Sequence, residues 1–174
     1  MNIDINQLIT LKDWDSLNTN INNFKYDSIY TLSPIELSTF SFDIWNLLKD
    51  WLRLSDSLEI IVPKLHKLLS HCFSAAEQKI SKEDFYWLFG YMLQVGPENF
   101  MDDNLDYLTA EKIGLNFLTL AANDYNNPIA KVFLNSTAIT SEDILHAETY
   151  LSNLFNNTSS IYIYFRDILE LNKN

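Results

Sequence analysis

Positive charge, glycine, proline and cysteine are all scarce in this chain of 174 residues, and each scarcity closes a class of explanation. Twelve Lys and Arg stand against 23 Asp and Glu, a formal net charge of −11. Such a balance repels phosphate backbones and anionic lipid, so neither direct nucleic-acid binding nor membrane association is expected. With three Gly and four Pro, the chain lacks the turn residues that a many-stranded sandwich, a barrel or a glycine-rich phosphate cradle consumes. One cysteine, Cys72, leaves no internal disulfide and no thiolate zinc cage, and it points to a reducing compartment. Asp50, Arg53, Lys64 and Lys67 interrupt the most apolar region, so no run reaches the roughly 18 residues of a membrane span. Met1 to Thr10 contains Asp4 and no basic residue ahead of an apolar stretch. A secretory signal is therefore not expected, and a cytoplasmic location is.

What is present suits a helical core. Hydrophobic residues make up 47% of the chain and charged residues 20%, which predicts one folded domain over residues 1–174. Apolar positions recur near 3.6 residues, so the expected fold is an all-α bundle of about seven or eight antiparallel helices. The first spans about Lys12 to Lys25, with Trp14, Leu17, Ile21 and Phe24 on one face. Ser33-Pro34-Ile35-Glu36 then supplies a capping hydroxyl, a proline where no amide hydrogen is needed, and a carboxylate three residues after the cap. The helix it opens points Leu37, Phe40, Ile44, Leu47, Leu48 and Trp51 inward and leaves Asp43 and Asp50 for solvent.

A third helix covers roughly Leu58 to Gln78, buried along Leu65, Leu68, Leu69, Cys72, Phe73 and Ala76, with Pro63 marking either a kink or its true start. Ser81 with Asp84 caps a fourth, which Gly96-Pro97 ends. Pro97 to Asp106 reads as an exposed acidic connection carrying Glu98, Asp102, Asp103 and Asp106. Leu108 to Asn123 reads as a well-buried helix with Leu115, Leu118 and Ala122 on one line and Ile113, Phe117, Leu120 and Ala121 beside it. Asn127-Pro128 opens a short helix, and Thr140 with Asp143 opens a seventh. Ile161 to Leu171 forms the last, although Ile161 to Phe165 alone has the composition of a strand. Asn156 and Asn157 each begin an Asn-x-Ser/Thr triplet, read here as a polar turn.

Catalytic and metal-binding patterns fail on spacing. His66 and His71 are five apart, which turns them about 140° away from each other on a helix. Asp143 and His146 form a single carboxylate-x-x-His step, where a bundle di-metal site needs two steps and two more carboxylates. Asp102, Asn104 and Asp106 imitate a calcium loop, but Tyr107 and Ile113 stand where it requires Gly and Glu. Cys72 lies on an apolar stripe, where a thiol is packing. No phosphate loop, dinucleotide fingerprint or Gly-x-Ser-x-Gly occurs, so no cofactor and no enzymatic activity are expected. The remaining functional signal is the acidic connection beside Phe100 and Tyr107, where charge can steer a basic partner and aromatics can anchor it. Tyr162, Tyr164, Asp167 and Glu170 form a second, lower-ranked group.

Two stretches carry a resemblance: Trp87-Leu88-Phe89-Gly90-Tyr91-Met92 with Pro97-Glu98-Asn99-Phe100, and Leu118-Thr119-Leu120-Ala121-Ala122 with Asn127-Pro128-Ile129-Ala130. Together they resemble small helical immunity proteins of bacterial contact-dependent growth inhibition and polymorphic toxin systems, over roughly residues 85 to 135. The latter half is also similar to Sel1-like and tetratricopeptide helical repeats, and implies repeat-like packing there. The first resemblance implies a toxin inhibitor whose partner is a cognate toxin domain of nuclease type, with Glu98, Asp102, Asp103, Asp106 and Tyr107 as contacts. The second implies a scaffold that holds a protein partner.

Overall fold

The computed structural model describes residues 5–101, 105–135 and 139–171. Over those residues the chain is all-α: nine α-helices and three short 3-10 turns, without a β-strand. None of these helices is long and apolar enough to cross a membrane. The helices gather into two compact units, residues 1–79 and 80–174.

The first unit holds α1 (Ile5–Thr10), α2 (Trp14–Asn23), α3 (Pro34–Leu54) and α4 (Val62–Lys79). At six residues, α1 is too short to show a period, and it is an element that sequence reading does not anticipate. The α3 start forms as expected. Ser33 Oγ accepts from the Glu36 amide at 3.3 Å while the Ser33 amide donates to the Glu36 carboxylate at 2.8 Å, two orphan donors satisfied reciprocally. Pro63 stands at the second position of α4, so it marks a start rather than a kink, and a 3-10 turn at Asp56–Ile61 leads into it.

Lysines fasten this unit. Lys64 Nζ donates to the Asn22 carbonyl at 2.5 Å, and Lys79 Nζ to the carbonyls of Tyr30 and Leu32. One expectation is corrected: Asp43 is buried at 9% exposure, not solvated. It sits between Phe42 and Ile44, both fully buried, because α3 is covered around most of its circumference from Leu37 to Leu48. Trp51, in the exposed last turns of α3, is half-buried instead of inward.

The second unit holds α5 (Lys82–Val95), α6 (Tyr107–Asn123), α7 (Pro128–Leu134), α8 (Ser141–Leu154) and α9 (Ser160–Leu171). Ile161 to Phe165 is helix, not strand. Each helix packs on the next, as a repeat would, yet α9 also returns to α5. Phe165 lies edge-on to Trp87 at 5.1 Å and to Tyr91 at 4.8 Å, and the hydroxyls of Tyr91 and Tyr164 meet at 2.9 Å. The stack is closed by aromatics and is not an open array. Buried Asn127 caps α7 through the Ala130 amide and donates to Glu83 Oε1 at 3.1 Å, joining α7 to the start of α5.

The tightest packing joins α5 to α6. Their ring and side-chain pairs run in opposite directions, Tyr86 to Phe117 and Gln94 to the Glu111 carbonyl, so the two helices are antiparallel. Two of the three glycines in the chain face each other at this crossing. A Cβ added at Gly114 would lie 2.8 Å from Leu93 Cβ and 2.9 Å from the Gly90 carbonyl oxygen. One added at Gly90 would lie 3.0 Å from the Leu118 amide nitrogen.

This contact decides which face of α6 is inside. Ala110, Gly114, Leu118, Ala121 and Ala122 are buried, and Leu115, expected on the buried line, is 49% exposed. Small residues form the seam because only they admit the neighbouring backbone. Replacing Gly114 by Ala would gain about 0.5–1 kcal/mol of helix propensity, but overpacking against backbone costs about 1–3 kcal/mol. Gly114→Ala is therefore expected to lower the denaturant midpoint, and an unchanged or higher midpoint would show that the helices separate freely.

Candidate functional site

Several groups that could carry chemistry are committed elsewhere. Cys72 is buried, and desolvation pushes its thiol up to about 12, only partly offset by a hydrogen bond from Ser41. The thiolate a nucleophile needs is therefore suppressed. His71 stacks on the Tyr26 ring at 4.6 Å. Among the described residues, no three His, Cys, Asp or Glu side chains converge as metal ligands.

Two polar clefts exist in the second unit. One of about 230 Å³ between α7 and α8 is lined by Asn126, Pro128, Lys131, Asp143 and His146. Its carboxylate, Asp143, is already engaged as a helix cap. Asp143 accepts from the Thr140 hydroxyl at 2.6 Å and from the Thr140 amide at 3.0 Å. Those bonds, with smaller help from His146 and Lys131, hold its carboxyl below the usual range. A carboxylate locked as a cap and made more acidic is a poor proton acceptor. Lys131 Nζ meanwhile donates to Asn126 Oδ1.

The other cleft, about 330 Å³, runs between α8 and α9 along Glu148, Thr149, Tyr162, Arg166 and Glu170. Arg166 pairs with Asp167 at 2.7 Å and reaches Glu170 at 3.9 Å. This is where the second acidic group falls, but Tyr164 turns inward to Tyr91 and so does not belong to its surface.

The expected contact residues divide. Asp102 and Asp103 lie outside the described residues. Glu98 is exposed on the 3-10 turn Pro97–Phe100, which packs against α6. Phe100 is half-buried and meets Phe89 at 6.5 Å, so it supports the turn more than it faces outward. Asp106 is part of α6 as its N-cap, accepting from the Thr109 amide at 2.9 Å and the Thr109 hydroxyl at 2.8 Å. These bonds hold its carboxyl below the usual range and keep the charge in place. Tyr107 begins the helix and is 46% exposed.

Sequence reasoning missed the apolar companions of these residues, Leu108 at 61% exposure and Leu115. The available signal was Gly114 in mid-helix, with Ala110 and Leu118 four residues to either side.

Charge is unequally shared between the two units. Residues 80–174 carry thirteen carboxylates and five Lys or Arg, a net of −8, whereas residues 1–79 carry ten and seven, a net of −3. Most of the net negative charge therefore belongs to the second unit. No family model, curated protein or solved structure matches this chain.

The burial of Cys72 has a direct test. In the native protein at pH 8 the thiol is expected to resist a thiol-specific reagent and to react fully once denaturant unfolds the chain. Rapid labelling under native conditions would contradict the packing described for α4.

Proposed function

We propose that this protein is an inhibitory binding protein of the immunity type, which neutralises a cognate, basic toxin domain of nuclease type by covering its active site. The observation that carries this reading is the concentration of net charge −8 in residues 80–174, where Glu98, Asp106 and Tyr107 are exposed on a turn and helix packed together. A nuclease active site is electropositive because its substrate is a polyanion, so an acidic surface competes for the same field. Electrostatic steering gives rapid capture, and apolar contacts hold the complex. Catalysis by the inhibitor is not required for this task.

The repeat-like stacking of α5 through α9 favours a second reading, a scaffold for a protein partner. The return of Phe165 to Trp87 and Tyr91 weighs against it, because it occupies the inner surface an open array would offer a ligand.

The test begins with the product of the neighbouring gene. That product, expressed alone, is expected to arrest growth, and coexpression of the intact chain is expected to relieve the arrest through a one-to-one complex. Absence of a complex would end the proposal.

In stopped-flow association, Glu98→Gln together with Asp106→Asn is expected to slow binding a few-fold at low salt and to flatten its salt dependence. Asn is as good an N-cap as Asp, so the second change removes charge while keeping α6 capped. Identical rates across salt for the variant and the wild type would remove this segment from the encounter surface.

A further inference from the structure

The outward face of α6 carries more than charge. Leu108 and Leu115 are 61% and 49% exposed. Seven residues apart on a helix, they lie about 10 Å apart along the axis and about 20° around it. They form a short apolar stripe. Tyr107 and Glu111 fall along one flank of the stripe, and Lys112 falls on the other.

The stripe is exposed for a structural reason: the Gly90–Gly114 crossing takes the small-residue face inward and leaves the leucines outside. Leu108 and Leu115 adjoin on one helix face, so they present a joined apolar contact rather than scattered single residues. We propose that this face docks a cationic amphipathic helix of the partner protein, its apolar residues on Leu108 and Leu115 and its basic residues over the Tyr107 and Glu111 flank. The proposal deepens the reading of the chain as a binder of a basic protein and rests on it.

Charge complementarity selects the occupant. A second copy of this chain would bring another unit of net charge −8 to the same face, and an anionic lipid surface would be repelled in the same way. A helix is the matching shape, because residues seven apart on its own apolar face repeat the same spacing.

The test uses the intact chain labelled with ¹⁵N and a synthetic amphipathic peptide of about 15 residues, with leucines at seven-residue spacing and lysines on the flanks. Amide shifts are expected to centre on Leu108, Glu111 and Leu115. A peptide with glutamates in place of the lysines is expected not to bind. Leu108→Ser with Leu115→Ser is expected to weaken binding at least roughly tenfold while leaving the far-ultraviolet circular dichroism unchanged. Should that double variant fail to fold, Glu111→Gln is expected to weaken binding and lower its salt dependence with the leucines intact.

Shifts centred elsewhere, equal binding of the anionic peptide, or a concentration-dependent dimer abolished by the leucine changes would each overturn the proposal. The toxin itself separates the two levels. Full inhibition by the leucine variant would sink this docking face and leave the proposed function standing, whereas a wild-type chain that binds no basic protein would sink both.

Discussion

The second unit depends on two helices approaching until their backbones touch. Gly90 and Gly114 remove the side chains that would hold α5 and α6 apart, and the carbonyl oxygen of each lies 2.9–3.1 Å from where the other's Cβ would be. Close packing of this kind admits little rotation, since turning α6 by one residue would drive Leu115 or Ile113 into the α5 backbone. The crossing therefore fixes the azimuth of α6. From that follow the buried line through Ala110, Leu118 and Ala121, the outward leucines, and the position of the Asp106 cap beside the Pro97–Phe100 turn. A chain with only three glycines spends two of them here.

The rest of the unit is arranged around α5, which is buried from Trp87 to Leu93. Its start is tied by Asp84, which accepts from the Trp87 indole at 3.2 Å and from the Tyr150 hydroxyl of α8 at 2.7 Å. Its middle is tied by Phe165 of α9. Hydrogen bonds to a carboxylate and edge-on rings are directional, so they specify how α8 and α9 lie as well as adding stability. Asp84 and Asn127 inside the unit are spent on this framework.

Helix starts were legible because capping is local. Ser33 with Glu36, Ser81 with Asp84, Asn127 with Pro128 and Thr140 with Asp143 each act within four residues, and all stand where the sequence places them. The inward face was legible where one stripe is plainly apolar, as in α4 at Leu65, Leu68, Leu69, Cys72 and Ala76, although Phe73, expected in that stripe, is half-buried. It failed for α6, whose apolar residues surround the helix so that the choice of face belongs to Gly114 and its partner in α5. It failed also for Asp43, where neighbours on all sides override a polar residue's preference for water.

The candidate surface was half legible. Acidic residues announce themselves in composition, and Glu98 and Tyr107 are exposed as expected. Asp106 looked like one more loop carboxylate although its partner Thr109 is three residues away in a capping relation. Leu108 and Leu115 were invisible because a hydrophobic residue is read as core until a structure shows what stands in its place. Once they are outside, the surface has the two components an inhibitor of a basic protein needs, long-range attraction and short-range apolar contact.

Hydrogen–deuterium exchange of the intact chain, alone and in complex with the proposed basic protein partner, tests the central claim most directly. Slowed exchange concentrated in residues 97–101 and 105–116 is the predicted result. A complex that forms while slowing exchange only within residues 5–79 would contradict it.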